Sequence, residues 1–294
     1  MVCFATGELQ HYGVVMKGKV VVATGVTSGI GAVAVETLAK LGARIVFVAR
    51  DGSKAEAMRA RLEEIAPGLG HSYHLADLTL IAETKRAGAE IASREPRIDA
   101  LLNNAGAIFA TRRVTAEGLE KTFALNHMSY FTLTKMLVER LKPSAPARIV
   151  STASSAHVGA ALDFDDLQSA RGYSAMKVYG RSKLANILFT RELARRLAGT
   201  GVVANCQHPG FVATRFGDEA GGWLGRIIPL AKLFALSPTV GADTLIYLAS
   251  DPQAGAVSGE YFVKRRPAAC SREAQNDQAA ARLWDISEAL FDKY

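Results

Sequence analysis

The stretch KVVVATGVTSGIGAVAVETLAKLGARIVFVAR, residues 19–50, decides the fold. Residues 20–23 are short, β-branched and bounded by Lys19 and a glycine turn, as a strand buried on both faces requires. Gly25, Gly29 and Gly31 follow, where a side chain would block a tight turn or keep a phosphate from the backbone. Residues 32–41 have helical composition, Leu38 and Leu41 meet at i,i+3, and Gly42 supplies the helix end. Residues 45–49 resume as a second buried strand. This is a βαβ opening. Its helix N-terminus, with unpaired N–H groups and the positive dipole end, offers a site to a pyrophosphate. The spacing Thr24-Gly25, Val26-Thr27-Ser28, Gly29-Ile30-Gly31 departs from GxGxxG, so the motif alone is also compatible with a turn that holds no ligand.

Beyond residue 50 no repeat or low-complexity linker interrupts the chain. Helices are expected over 53–66, 81–94, 174–197 and 239–249, with one long or two abutting helices over 116–142. Strands are expected over 73–76, 98–103, 148–152, 202–207 and 261–263. This alternation implies an α/β fold, a single doubly wound parallel sheet with helices on both faces and a ligand beyond the carboxyl ends of its strands. Gly25, Arg50, Asp77, Asn103, Ser154 and Pro209 each follow an expected strand.

The 294 residues suffice for an extensive core without staples, and 49% hydrophobic with 21% charged residues is ordinary for a folded soluble protein. A formal net charge of +7 invites a nucleic-acid partner. Basic residues gather no further than Arg112-Arg113, Arg195-Arg196 and Lys264-Arg265-Arg266, so no nucleic acid is expected, and the mild basicity suits an anionic dinucleotide. Cys3, Cys206 and Cys270 lie far apart with no metal-ligand spacing; a reducing, cytoplasmic setting and no metal are expected. Residues 1–16 carry Glu8 and no long apolar core, and read as a loose leader rather than a signal peptide or anchor. No run approaches the roughly 18 apolar residues of a spanning helix.

About 20 positions past the glycines, a dinucleotide fold meets the adenosine ribose; an acid there binds the 2′-hydroxyl and an arginine accepts a 2′-phosphate. Ala49-Arg50 stand at that point. With no carboxylate to repel the phosphate and a guanidinium able to grip it, NADP(H) is favoured over NAD. Further on, Tyr179 and Lys183 share one face of an expected helix. A phenol of pKa about 10 is a poor acid or base at neutral pH, and a nearby ammonium stabilises its phenolate and lowers that value. Taken singly, a half-buried Tyr beside a solvated Lys, a helical Asn126 and a Ser154 after a strand are all ordinary.

Together these residues resemble the short-chain dehydrogenase/reductase family over nearly all of 17–264. Thr24-Gly25 through Thr27, Ser28, Gly29, Ile30 and Gly31 is similar to its cofactor motif, and Asp77-Leu78 to its adenine-contacting pair. Asn103-Asn104-Ala105-Gly106 resembles its NNAG segment, and Pro209-Gly210 with Thr214 the segment that closes over the nicotinamide. Asn126, Ser154, Tyr179 and Lys183 match its catalytic tetrad. Within the family, Leu125-Asn126-His127 with Phe131, Ser154-Ser155-Ala156-His157 and Ser182-Lys183-Leu184-Ala185-Asn186 resemble the retinol-dehydrogenase-like branch, as does the long gap from Ser154 to Tyr179. The resemblance implies a Rossmann-type domain over 17–266, between the leader over 1–16 and a C-terminal helical extension over 267–294. It also implies hydride exchange between NADPH and the carbonyl or alcohol of a fairly lipophilic small molecule. Tyr179, activated by Lys183, would exchange the proton, and Ser154 would bond the reacting oxygen. Lys183 would also hold the nicotinamide ribose, and Asn126 would anchor a water. The rival readings are an NAD-linked alcohol dehydrogenase and an NADP-binding regulatory protein without turnover.

Substrate recognition is expected after Thr214. Residues 221–236, with Trp223, Leu224, Ile227, Ile228, Leu230, Leu233 and Phe234, read equally as a lid near 215–236 hinged at Gly221-Gly222 or as a core helix broken at Pro229. A third reading is contact with a membrane surface through Arg226 and Lys232. No GxSxG accompanies Ser154 and His157, so a hydrolase is not expected; His157 reads as a pocket-wall residue or a support behind it, His127 as packing and His208 as a strand end. From residue 274, Leu283, Trp284, Ile286, Leu290 and Phe291 form an apolar stripe that serves either docking on its own domain or an interface in a homo-oligomer.

Overall fold

The computed structural model describes residues 16–210 and 237–294; most of the leader, Thr214 and the expected lid lie outside the described residues. Eight strands form one sheet: β1 (Val20–Thr24), β2 (Arg44–Ala49), β3 (Ser72–Leu75), β4 (Ala100–Asn103), β5 (Ala147–Thr152), β6 (Val202–His208), β7 (Tyr261–Val263) and β8 (Arg266–Pro267). Their order is β3-β2-β1-β4-β5-β6-β7-β8, and every neighbouring pair is parallel except β7 with β8. The chain winds outward from β1 to β3 and then returns to lay β4 on the other flank of β1. The order thus reverses between β1 and β4, and the crevice beyond their carboxyl ends is where such sheets take ligands. This is the doubly wound α/β architecture expected from the sequence.

Side-chain alternation divides the core in two. Val21, Ala23 and Leu102 face α1 (Gly29–Lys40), α2 (Gly52–Ile65) and α7 (Pro238–Ser250), which contribute Leu38, Leu62 and Leu245. Val22, Leu101 and Ile149 face α3 (Ile81–Arg94), α5 (Ser129–Leu141) and α6 (Ala175–Arg196), which contribute Ile91, Leu137 and Leu188. Residues with period-two burial on both faces are what a strand covered on both sides must carry.

Four local readings change. Helix α1 starts at Gly29 rather than residue 32, directly from the glycine turn, and ends as expected: Gly42, at φ 100, donates to Ala39 O while Ala43 donates to Leu38 O. Strand β4 starts only at Ala100; the preceding Asp99 keeps main-chain bonds to Val20 O and the Arg148 N–H, and its carboxylate accepts the Val20 N–H (2.9 Å) and pairs with Lys19. The helix expected from residue 116 begins later. A tight turn with Gly118 at φ 81, bridged by Val114 and Glu120, precedes α4 (Lys121–Phe123), whose first N–H groups donate to the Glu120 carboxylate at 2.8–2.9 Å. From α4 the chain passes through one wide π turn (Ala124–Met128), closed by Ser129 N–H to Ala124 O, into α5.

After β7 the chain reverses through Lys264 and Arg265, both at positive φ, into the short β8. Helix α8 (Asp277–Lys293) docks on its own domain, against α6: Leu283 and Phe291 enter the core and Trp284 stacks on Phe189 at 6.0 Å. Burying each of those two large side chains stabilises the docked helix by about 1.5–3 kcal/mol. Among the described residues no helix is long and apolar enough to cross a membrane.

Candidate active site

Thr24, the last residue of β1, begins the site. Its Oγ1 accepts the N–H groups of Asn104 and Ala105, each at 3.0 Å, which fastens the β4 loop to the glycine turn. Asn104 returns the contact, donating from Nδ2 to Gly25 O at 3.0 Å. Gly25 and Gly29 lie at φ 67 and 61, and a Cβ on Gly25 would fall 2.7 Å from Ala105 Cα. Any residue but glycine would drive these loops apart. Thr27, Ser28, Gly29 and Ile30 stay partly or fully exposed along the turn, and Gly31 is packed beneath them.

The first turn of α1 carries no acid, and its N-cap Ser28 makes no side-chain cap bond. N–H groups left unbonded at a helix start, with the dipole behind them, suit a dinucleotide's pyrophosphate. Arg50 is exposed at the end of β2, whereas the next acid, Asp51, caps α2 by accepting the Lys54 N–H at 3.0 Å. Asp77 Oδ1 accepts the Thr79 N–H at 3.0 Å, and Leu78 beside it is buried, beyond the end of β3. Gly106, Pro209 and Gly210 line the other strand ends and are half-buried. The residues present therefore fit a nicotinamide dinucleotide laid across the strand ends.

The four residues Asn126, Ser154, Tyr179 and Lys183 converge beyond β4 and β5. Lys183, 2% exposed, donates from Nζ to Thr152 O at 2.9 Å; its Nζ lies 5.5 Å from the Tyr179 ring centre and 5.9 Å from that of Tyr130. Asn126 sits on the π turn. Its Oδ1 accepts the Ala107 N–H at 2.9 Å, and its Nδ2 donates to Ala107 O and Ser182 Oγ. A Cβ placed on Gly106 would be 3.2 Å from Asn126 Oδ1 and 3.5 Å from Lys183 Nζ, so this backbone passes between the two. Ser154 Oγ accepts the Ala156 N–H at 3.2 Å, which leaves the hydroxyl proton for another acceptor.

Burial dominates the titration of the pair. It raises the Tyr179 phenol above its usual value, opposed by a hydrogen bond with Ser154, and it pushes Lys183 down to about 7. The sequence expectation that the ammonium lowers the phenol is thus corrected for the protein alone: taking both groups out of water disfavours both charges more than their proximity favours them.

Several participants escape sequence reading. Gln207 Nε2 reaches Thr152 Oγ1 at 3.5 Å, Thr152 Oγ1 donates to Asn104 Oδ1 at 3.0 Å, and Asn104 holds Gly25, so one polar tie crosses the sheet from β6 to β1. The available signal was a threonine closing each of β1 and β5. Ser182, which donates to Tyr179 O at 2.7 Å, and the fully buried Tyr130 carried none.

The short chain dehydrogenase family profile matches residues 19–224. Retinol dehydrogenase 14 of Homo sapiens is 40% identical over 292 residues, covering 94% of this chain and 87% of that protein. Retinol dehydrogenase 12 of Mus musculus is 39% identical over 287 residues, covering 97% and 90%. A crystal structure of an uncharacterized protein from Mycobacterium paratuberculosis superposes with a TM-score of 0.76 at 31% identity, covering 95% of each chain. The Pseudomonas aeruginosa RhlG/NADP active-site complex does so with 0.67 at 27%, covering 84% and 95%. With its glycine turn, its buried Tyr–Lys pair and this span of similarity, the chain belongs to the short-chain dehydrogenase family of oxidoreductases, in its retinol-dehydrogenase-like branch.

Proposed function

We propose that the chain exchanges hydride between NADP(H) and the carbonyl or alcohol of a fairly lipophilic small molecule, with Asn126, Ser154, Tyr179 and Lys183 as its catalytic residues. The observation that carries the reading is the buried Lys183, fixed on Thr152 O and facing the Tyr179 ring beside Ser154. A nicotinamide dinucleotide, when bound, supplies the hydride. Tyr179 is then the acid: burial keeps its phenol protonated at neutral pH, the form that can donate to a carbonyl oxygen. Ser154 donates its hydroxyl proton as a hydrogen bond to the same oxygen, more strongly as charge develops there. Lys183 has donors left beyond its bond to Thr152 and, in its protonated form, supplies positive charge 5.5 Å from the centre of the phenol ring as the proton leaves. Asn126 acts chiefly through its grip on Ala107 and Ser182, and its Oδ1 keeps a second lone pair for a water. In alcohol oxidation Tyr179 has first to lose its own proton, and its phenolate then takes the proton of the alcohol.

The cofactor preference rests on Arg50, exposed where the strand after the glycine turn ends, with the neighbouring Asp51 committed to its own helix. NADP complexes occur among similar structures. The retinol dehydrogenase relatives and the apolar residues Val158 and Met176, exposed beside the site, support a lipophilic substrate. The test is a fluorescence screen of NADPH oxidation against aldehydes and ketones of graded hydrophobicity. Tyr179→Phe should abolish turnover while NADPH binding survives, and Arg50→Ala should weaken NADPH but not NADH by about tenfold, the worth of one charge-assisted contact. Turnover retained by Tyr179→Phe removes the phenol from the mechanism; equal losses for both nucleotides remove Arg50 from cofactor selection.

A further inference from the structure

We propose that His157 is a positioning residue for Ser154, its tautomer set by the C-terminal segment through the main-chain N–H of Ser271. The proposal rests on the reading of Ser154 as the hydroxyl that meets the substrate oxygen.

The hydrogen bonds leave one assignment of the ring. A main-chain N–H can only donate, and that of Ser271 points at His157 Nε2 from 3.1 Å. Nε2 therefore accepts and carries no proton, which places the proton of the neutral ring on Nδ1. Nδ1 lies 2.6 Å from Ser154 O and so donates to it. The imidazole is 1% exposed and meets Tyr261 of β7 edge-on, with ring centres 5.0 Å apart. Its position is fixed by the sheet, and its proton by the tail.

The same peptide unit is held at its other end. The N–H of Ser155 donates to His208 Nδ1 at 3.2 Å, while the C=O of Ser154 receives His157. Two imidazoles, one from the turn itself and one from the end of β6, thus fix a single peptide plane. That plane follows Ser154 directly, so its rotation would shift the Ala156 N–H that the hydroxyl oxygen of Ser154 accepts. If His157 took the other tautomer, its Nε2 proton would face the Ser271 N–H, and Nδ1 would present a lone pair to the Ser154 carbonyl. Both contacts would become repulsive. Docking of the tail and aim of Ser154 therefore share one proton. Neither contact touches the glycine turn or Lys183, so the consequence falls on turnover rather than on cofactor binding.

The first measurement is the ¹⁵N spectrum of histidine-labelled full-length protein at neutral pH, with His157 identified by the signal lost in His157→Asn. The Nδ1–H tautomer is expected, and an Nε2–H ring overturns the proposal. The second is kinetic. His157→Phe keeps an aromatic edge against Tyr261 but has no donor, and should lower kcat about tenfold with NADPH affinity unchanged, the worth of one hydrogen bond to alignment. His157→Asn places an amide donor near Nδ1 and should restore most of that loss. Equal kcat in wild type and His157→Phe, or a parallel loss of NADPH binding, refutes positioning, as does failure of Asn to outperform Phe. Ser154→Ala with undiminished turnover would instead sink the reading of the site itself, whichever tautomer His157 holds.

Discussion

A methyl group added at Gly180 would meet the carbonyl oxygen of Ala156 at 2.6 Å. Gly180 lies between Tyr179 and Lys183 on α6, and Ala156 belongs to the short turn that follows Ser154. The obstacle is backbone, so no rotamer change relieves it. Restoring even a tight contact of about 3.2 Å requires a displacement of roughly 0.6 Å between the helix and the turn. Gly180→Ala gains about 1 kcal/mol of helix propensity, against about 1–3 kcal/mol for forcing extra volume into a packed contact. The net loss of stability is about 0–2 kcal/mol, a fall in Tm of at most several degrees for a chain of this size. Turnover is more sensitive: a misplacement near 1 Å costs about a hundredfold, so 0.6 Å between Ser154 and Tyr179 should lower kcat about tenfold. Steady-state NADPH oxidation, cofactor titration and a thermal melt on the same preparation separate these effects. A variant with wild-type kcat and a raised Tm would show that the turn yields freely and that the spacing of Ser154 and Tyr179 does not limit the reaction.

Two further predictions concern buried bases. Lys183 falls from 10.5 to about 7 on folding, so between those pH values the unfolded chain holds a proton that the folded one does not, and stability rises with pH. Relative to Lys183→Met, wild type should gain up to about 1.4 kcal/mol per pH unit in that window by urea unfolding; a flat difference would mean the amine titrates normally. His127 falls from 6.5 to about 3, driven by full burial; because the Ser287 hydroxyl donates to Leu283 O, His127 Nε2 donates to Ser287 Oγ at 2.8 Å. Its contribution is present above pH 6.5 and is lost as pH drops toward 3. His127→Gln, which keeps a donor for Ser287, should be less acid-sensitive across that range, and equal acid-unfolding curves would refute the assignment.

The sheet was legible because buried parallel strands announce themselves as short β-branched runs, and the residues that follow them mark the ligand edge. Residues 45–49 and 148–152 could hardly be read otherwise. The boundary near residue 116 was lost because Ala116, Glu117 and Leu119 have helical composition; Gly118 was the contrary signal, and its positive φ closes the turn. The π turn was invisible in principle, since an apolar run tolerates one extra residue without altering its pattern. The tail stripe was visible, but its choice of partner was not: Ser287, the polar residue between Leu283 and Phe291, finds His127 of its own chain. Asn126, Ser154, Tyr179 and Lys183 stood out through their joint spacing, whereas Thr24, Thr152 and Gln207 act by hydrogen bonds between strands distant in sequence, which no local pattern encodes.

The π turn gives this part of the chain a dependence on length as well as on identity. Its closing bond runs from Ser129 back to Ala124, one residue further than the regular winding reaches. Removing any one residue from 124–128 would leave the composition almost untouched and let the helix run regularly through the gap. Everything before the cut would then turn by about 100° about the helix axis relative to α5. Glu120 would leave the Gln168 amide oxygen that accepts its N–H, and Asn126 would no longer face Ala107. The segment is therefore a ruler: substitutions that keep its size can drift, but a gain or loss of one residue resets the angle between two halves of the site.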